Sequence, residues 1–449
     1  MTEWFDVAVV GGGLGGLAAA TLLARRGLAV TLLDRAHTLG GRAMTHLARR
    51  AEDGAPFHFN LGAHALYRGG PADRVLCALG VAWTGKAPPS HGLAIHGGRR
   101  FVLPMGPASL LSTGLLGWGA KIEQARVLAR LRGVDVAALA SVPLAEWIER
   151  QVRDPTLRAT IEAFVRLTTF ANAPERMSAG AAMQQLRRAQ TSGVAFLDGG
   201  WQTLVDGATA AARAAGVRIE TAAHVTDAEA RDGSWAVRRI DGASIAARAI
   251  VVAAGPGVAA AIVRSPALHV RAEQAIPLRV ACLDVGLRSL PDPRTTFALG
   301  VDRPLYFSVH STSARLAPPG AALVTTMKYL SPGEVHDPVR DEAELEAWLD
   351  GLQPGWRDAT AHRRSLPAMV VSHALPAAVG GGLAGRFSVA VPDAPGAFVA
   401  GDWVGPEGLL LDAVMASAEQ AAEAAGAFLH GSARPSRPIA RGVPAARVA

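Results

Sequence analysis

The chain has 449 residues, half of them apolar and 18% charged, with a formal net charge of +7. That length exceeds one ordinary core and predicts two or three domains, while the composition argues against a disordered or fibrous chain. Four of the positive charges, Arg434, Arg437, Arg441 and Arg447, fall in a Pro/Ala/Arg-rich tail at 432–449 that has no acid and reads as disordered. No basic run interleaved with aromatics occurs elsewhere, so nucleic acid is not an expected partner. Two cysteines, Cys77 and Cys282, without Cys-x-x-Cys or His/Cys spacing, argue against a disulfide framework or a metal site and fit a reducing, cytoplasmic setting.

A strand pattern begins within the first five residues, so no signal or transit peptide is expected. The opening reads as strand (5–10), glycine turn, helix (14–26) and strand (29–33) ending at Asp34. Gly11-x-Gly13-x-x-Gly16 between a strand and a helix is the context of a dinucleotide fingerprint. Gly11 permits the tight turn, Gly13 admits a pyrophosphate against the backbone, and Gly16 lets the helix pack close to the strand. The helix N-terminus offers free N–H groups to phosphate, and Asp34 can accept ribose hydroxyls. These residues do not by themselves separate NAD from FAD. Gly40-Gly41-Arg42, a close-approach turn with an arginine able to neutralise a pyrophosphate, leans toward the longer site.

Phe101 to Ala120 is uncharged throughout but broken by Pro104, Pro107 and four glycines, which disfavours a spanning helix. The first reading is a buried segment of a substrate domain; the alternative is a surface that touches a membrane or admits lipid. Residues ~80–195 are otherwise largely helical, with amphipathic patterns over 121–132, 144–153 and 157–168. From Val217 to Gly255 the pattern turns to strands, with hairpins expected at Asp232-Gly233 and Asp241-Gly242. Residues ~270–385 mix strands ("RVACLDVGL", "AALVTTMKYL") with loops and a helix near 342–352. A short strand at 397–400 leads into Gly401-Asp402 and a long Ala-rich helix over 411–428. That helix would point its positive end at whatever lies over the turn, and Asp402 emerges at a strand end. No G-x-S-x-G elbow and no paired-carboxylate segment with a glycosidase context is present.

"VVGGGLGGLAAATLLARRG…TLLDR…LGGRA" resembles the FAD-binding start of the amine oxidase / phytoene desaturase superfamily. "FNLGAHALY", "FLDGGWQTLVDGATAAARAAGVRIETAAHV", "AIVVAAGP" and "AFVAGDWVGPEGLLLDAVMASAEQAA" resemble its later cofactor segments, so the likeness spans nearly the whole chain. It implies an α/β fold: a Rossmann-like FAD-binding domain (GR2-type) assembled from 1–75, 197–268 and 386–431, with an inserted mixed α+β substrate domain from 76–196 and 269–385. It further implies FAD contacts at Gly11, Gly13, Leu14, Gly15, Gly16, Asp34, Arg35, Gly41, Arg42, Gly62, Ala63, His64, Val225, Gly255, Gly401, Asp402, Gly408, Leu409 and Leu410.

Members that oxidise amines have a lysine near flavin N5. The corresponding stretch here, "IPLRVACLDVGLRSLP", has none, only Arg279 outside the inward position. "CLDVGL", "GGWQTLVDG" and the run from Pro304 to Gly333 look more like the carotenoid-desaturase branch. The resemblance therefore implies an FAD-dependent oxidoreductase that desaturates or isomerises an apolar isoprenoid or polyene. Hydride would leave a substrate carbon for flavin N5, and a neighbouring proton would pass to a weak base or solvent. Reoxidation by O2, a quinone or another acceptor stays open, as does peripheral membrane contact. An amine or protoporphyrinogen-like oxidase is the alternative, and a non-catalytic prenyl-binding protein of the GDP-dissociation-inhibitor type is a second. No catalytic acid or base stands out; His64, Tyr306 and Lys328, with His310 behind them, are weak candidates whose plainer readings are structural.

Overall fold

The apolar run at the start of the chain becomes the centre of a parallel sheet. Strand Glu3–Val10 is fully buried over its last four residues and pairs in parallel with Val30–Leu33 on one side and Ser244–Val252 on the other. The computed structural model describes residues 3–49, 55–131, 133–231 and 233–431; the tail at 432–449 and Asp232 lie outside the described residues. Arg218–Glu220 extends this sheet beyond Val30–Leu33, again in parallel. Ser244–Val252 divides its far edge between two partners. Residues 244–247 pair antiparallel with Ser234–Arg239, which continues to Val225–Arg231, while Ile250–Val252 pair in parallel with Ala397–Val399. The expected hairpin strands are thus present, and the last short strand joins the sheet from almost 150 residues away.

This arrangement brings four strand ends to one edge. Val10, Leu33, Val252 and Val399 lie side by side, and the residues after them are Gly11, Asp34, Ala253 and Ala400-Gly401-Asp402. In open parallel sheets that edge is where ligands bind. Helix Leu14–Ala24 covers the sheet with every residue buried except Leu22, and helices Gln202–Ala214 and Leu410–Gly431 share its core. The close fit depends on Gly16, where an added Cβ would sit 1.8 Å from the carbonyl oxygen of Gly11. Gly11 itself has φ +109°, open to glycine and costly for other residues.

A second seven-stranded sheet is built in the order Thr360–Ser372, Leu278–Leu287, Ala322–Leu330, Leu305–Val309, Phe297–Gly300, Leu93–His96 and Arg99–Val102. Helix Pro338–Leu352 packs on one face through Leu345, Trp348, Leu349 and Leu352. The other face buries against helices from 107–192, including Pro155–Thr169 and Ala179–Ser192. The edge strand Thr360–Ser372 ends beside the parallel sheet, which puts Met369, Val370 and Val371 into a shared cavity. The fold class expected from the sequence is the one observed.

The segment 101–120 departs from its first reading. It is neither buried nor a continuous helix: it comprises the end of a strand, helix Pro107–Ser112 and the start of helix Trp118–Leu131, with Val102, Met105, Leu111 and Trp118 exposed. The prolines and glycines break it, and its apolar side chains divide: Leu103, Leu110, Leu115, Leu116 and Ala120 join the core, with Phe101 packed against it. Among the described residues no helix is long and apolar enough to cross a membrane.

Replacing Gly16 by Ala should lower unfolding free energy by at least about 3 kcal/mol, the upper end for overpacking, because the new methyl meets backbone that cannot rotate away. Urea denaturation of the variant beside the wild type checks this.

Candidate functional site

A cavity of about 930 Å³ opens at the edge where the parallel strands end. Its wall can be followed through contacts. At one end, Asp34 receives the N–H of Gly12 (2.5 Å) and of Ala36 (2.7 Å), and its own carbonyl accepts from Ala223. Each carboxylate oxygen retains a lone pair for a hydroxyl. Arg35, Val225, Thr226, Gly255 and Gly257 complete this end. Gly11, Gly13, Leu14 and Gly15 line the middle. Helix Leu14–Ala24 begins there at Gly13, which supplies no side-chain cap, so its first N–H groups are left for an anion.

Across from them, the Gly40-Gly41 turn reaches Arg42, whose guanidinium donates to Asp402 Oδ2 (2.6 Å) and to the carbonyl of Val371 (2.6 Å). Asp402 is 1% exposed; its other oxygen accepts from the backbone N–H of His373 (3.2 Å) and lies 3.1 Å from that ring's Nδ1. Burial alone would push the Asp402 carboxyl up, but Arg42 and His373 outweigh it and hold it well below the usual carboxylate range. The sequence reading gave Arg42 and Asp402 separate tasks. The structure pairs them, so part of the Arg42 charge is already answered within the protein.

Beyond Arg42 the wall turns apolar. His64 packs edge-on to Trp201, ring centroids 4.6 Å apart, with Nδ1 3.1 Å from the Gly62 carbonyl and Nε2 3.2 Å from the Arg42 carbonyl. Burial lowers its pKa to about 4, so at neutral pH the ring is uncharged and held by backbone. Leu61, Ala63, Ala65, Phe170 and Met369 line the same cavity. Phe170 sits at φ +61° as the C-cap of helix Pro155–Thr169, a left-handed turn that carries its ring into the wall. Below this end, Arg364 donates to the carbonyls of Phe59 and Asn60 and to buried Asp284 (2.5 Å), while the Asn60 side-chain oxygen accepts from Trp201 N (2.9 Å). One guanidinium therefore supports the loop from Phe59 to Tyr67 from beneath, and through Asn60 it bears on Trp201.

The last helix, Leu410–Gly431, starts at the cavity, with Leu410, Leu411, Asp412 and Val414 in the wall. Leu410 has φ +53°, a strained position for a γ-branched residue and one that fixes how the helix enters. Asp412 is buried, accepts from the N–H of Ala72 (3.0 Å), and has no ion pair among the described residues. Burial raises its pKa. Gly70 makes room for it, since a Cβ there would lie 2.5 Å from both carboxylate oxygens.

Several residues expected at the cofactor do not line the cavity. Gly16 and Leu409 are packed behind it, Gly62 lies against Met369 and Cys282, and Gly408 precedes the last helix with a left-handed turn. Of the weak catalytic candidates only His64 reaches the wall. Tyr306 and His310 bond to each other (2.9 Å) inside the second sheet. Lys328 is engaged by Asp341 (2.6 Å) and Glu344 (2.7 Å) on helix Pro338–Leu352, away from the cavity. Arg279 is exposed and donates to the Ala368 carbonyl (3.3 Å), and the Leu278–Leu287 strand presents Cys282 toward Gly62. Sequence reasoning did not single out Phe170, Met369, His373 or Asp412. An acid inside the apolar run "LLLDAVM" was the one visible signal; the others carry none.

The chain belongs to the family described as flavin containing amine oxidoreductase, whose model matches residues 14–425. It is an FAD-dependent oxidoreductase of that family. Among solved structures, an oxidoreductase from Methanosarcina mazei has a TM-score of 0.74 at 19% identity, over 93% of this chain and 99% of that one. A putrescine oxidase bound to putrescine has a TM-score of 0.71 at 17% identity, over 95% and 100%. At those identities the likeness concerns the fold. A carotenoid phi-ring synthase from Streptomyces griseus is 50% identical over 62 residues, which is 14% of this chain and 12% of that protein.

Asp402→Asn should cost about 3 kcal/mol at neutral pH by leaving Arg42 without its buried partner. Because the folded-state pKa of Asp402 is depressed, its contribution is complete above about pH 4 and is lost as pH falls through the folded value. The gap between wild type and variant in urea unfolding should therefore close on acidification and stay constant toward alkaline pH.

Proposed function

We propose that this oxidoreductase dehydrogenates an apolar isoprenoid or polyene, with FAD held along the cavity from Asp34 to Leu410. In this reading Asp34 and the Val225 backbone hold the adenosine half, and the uncapped N-terminus of helix Leu14–Ala24 meets the pyrophosphate together with Gly41-Arg42. The N-terminus of Leu410–Gly431 faces the flavin end, where a positive helix end stabilises negative charge. The residues present fit such a group: glycines where backbone must approach, N–H groups without a side-chain cap, and an acid at the ribose position. When bound, FAD supplies the two-electron acceptor for the substrate's hydrogen.

The observation that carries the substrate class is the apolar end of the cavity. Leu61, Ala63, Phe170, Trp201 and Met369 line it, and the Leu278–Leu287 strand, whose Cys282 lies toward Gly62, carries no lysine. Such side chains exclude water and orient a hydrocarbon by shape. The short, high-identity match to a carotenoid phi-ring synthase supports the same substrate class. A second reading, oxidation of an amine, is favoured by Asp412, a buried carboxyl in the wall that could pair with an ammonium group, and by the fold shared with putrescine oxidase.

Anaerobic mixing of the holoenzyme with isoprenoid polyenes in micelles, and separately with diamines and monoamines, separates the two. Bleaching of the oxidised flavin by a polyene and not by amines is expected; the reverse pattern establishes the amine reading. Arg42→Ala should raise the Kd for FAD roughly tenfold or more, on the scale of losing one charge-assisted contact, measured by titrating the apoprotein with FAD.

A further inference from the structure

Helix Trp118–Leu131 turns an apolar stripe outward. Trp118, Ile122, Ala125 and Ala129 recur at helical spacing and are all exposed, while Ala120, Gln124 and Leu131 face the core. Five of the thirteen large apolar side chains exposed among the described residues fall between Val102 and Ile122, with Trp118 at 71%, Leu111 at 62% and Ile122 at 51%. Single exposed apolar residues are ordinary; a contiguous set marks a surface that is covered in use.

The set is held as one platform. Thr113 Oγ donates to the Val102 carbonyl (2.6 Å), Gln124 Nε2 to the Pro104 carbonyl (3.2 Å), and Lys121 Nζ to the Leu111 carbonyl (2.7 Å). Lys121 also lies 4.9 Å from the centre of the Trp118 ring. Cations predominate beside the stripe. Lys121, Arg126 and Arg130 are on the helix, and Arg99 on strand Arg99–Val102 lies over Phe101, which packs on the same cluster as the helix. The only acid on the helix, Glu123, already accepts the backbone N–H groups of Arg153 (3.1 Å) and Asp154 (3.3 Å).

We propose that this face docks on an anionic phospholipid bilayer. Leu111, Trp118 and Ile122 enter the headgroup boundary, and Lys121, Arg126 and Arg130 meet lipid phosphates. An outward apolar stripe flanked by cations, with a tryptophan at its rim, is the pattern of a helix lying in the interface plane. The charge pattern selects the occupant, since a second copy docked on this face across a two-fold axis would set cations against cations. The interior beneath agrees. Leu103, Leu115 and Leu116 belong to the same apolar cluster on which cavity-lining Phe170, Met369 and Leu410 pack. Membrane contact and cavity are therefore joined by apolar side chains. The inference rests on the surface and does not depend on which substrate is turned over.

The test uses the full-length holoprotein and vesicle flotation, with phosphatidylcholine alone and with added phosphatidylglycerol. Wild type should float with the anionic vesicles, less with phosphatidylcholine alone, and progressively less as salt is raised. Two variants address the face separately: Leu111→Ser with Trp118→Ser and Ile122→Ser, and Arg126→Glu with Arg130→Glu. Each should lower the partition coefficient about tenfold or more, with circular dichroism and flavin content unchanged. Failure of the wild type to float overturns the proposal, as does a triple serine variant that floats like wild type. So does a wild-type oligomer in size-exclusion chromatography that the serine variant dissolves, which would make the covering partner a second copy. Flavin content reports on the cofactor cavity independently, so a failure there is seen apart from a failure of this surface.

Discussion

The Asp402 carboxylate is the point on which the site depends. It stands at the end of the last parallel strand, almost fully buried, and accepts from Arg42, 360 residues earlier in the chain, and from His373 at the end of the second sheet's edge strand. A buried charge is tolerated only when its partners repay the desolvation. Here the carboxylate and its partners come from three separated segments, so the carboxylate can be satisfied only when the parallel sheet, the Gly40–Arg42 turn and the second sheet are all in place. The same contacts set the cavity wall. Satisfying one anion thereby ties the position of the second sheet to the glycine turn of the first.

Chemistry along the cavity follows from how that wall changes character. Its polar stretch offers backbone N–H groups, an acid already steadied by two N–H donors, and an arginine partly neutralised by its own protein. Its apolar stretch offers Phe170, Trp201, Met369 and an uncharged His64. A long cofactor with charged phosphates at one side and a flat ring at the other matches this division. Burial keeps His64 uncharged near pH 7, and Asp412 is a buried carboxyl in that wall with no ion pair among the described residues.

The sequence was most legible where local chemistry dictates geometry. The strand, Gly-rich turn, helix and Asp34 could be placed because backbone approach demands glycine and a ribose demands an acceptor, whatever the rest of the chain does. Lys328, Tyr306 and His310 show the opposite case. Each is a residue type with catalytic uses, and each is engaged inside the second sheet or with helix Pro338–Leu352. Strand alternation says which residues share a face, not which face meets the cavity, and that depends on how two sheets pack. Gly16, Gly62 and Gly408 make the same point from within the fingerprint motifs, since they shape the wall from behind without lining it.

The residues themselves determined the nucleotide-binding turn, the flavin family, the strand and helix order, and an uncharged stretch from Phe101 to Ala120. These depend on short-range patterns of glycine, apolar and acidic residues. Tertiary structure alone decided that Arg42 answers Asp402, that Phe170 and Met369 close the apolar end, and that Trp118 and Ile122 face outward on a basic helix. Each of those outcomes turns on which surfaces meet across hundreds of residues, and no local spacing encodes it.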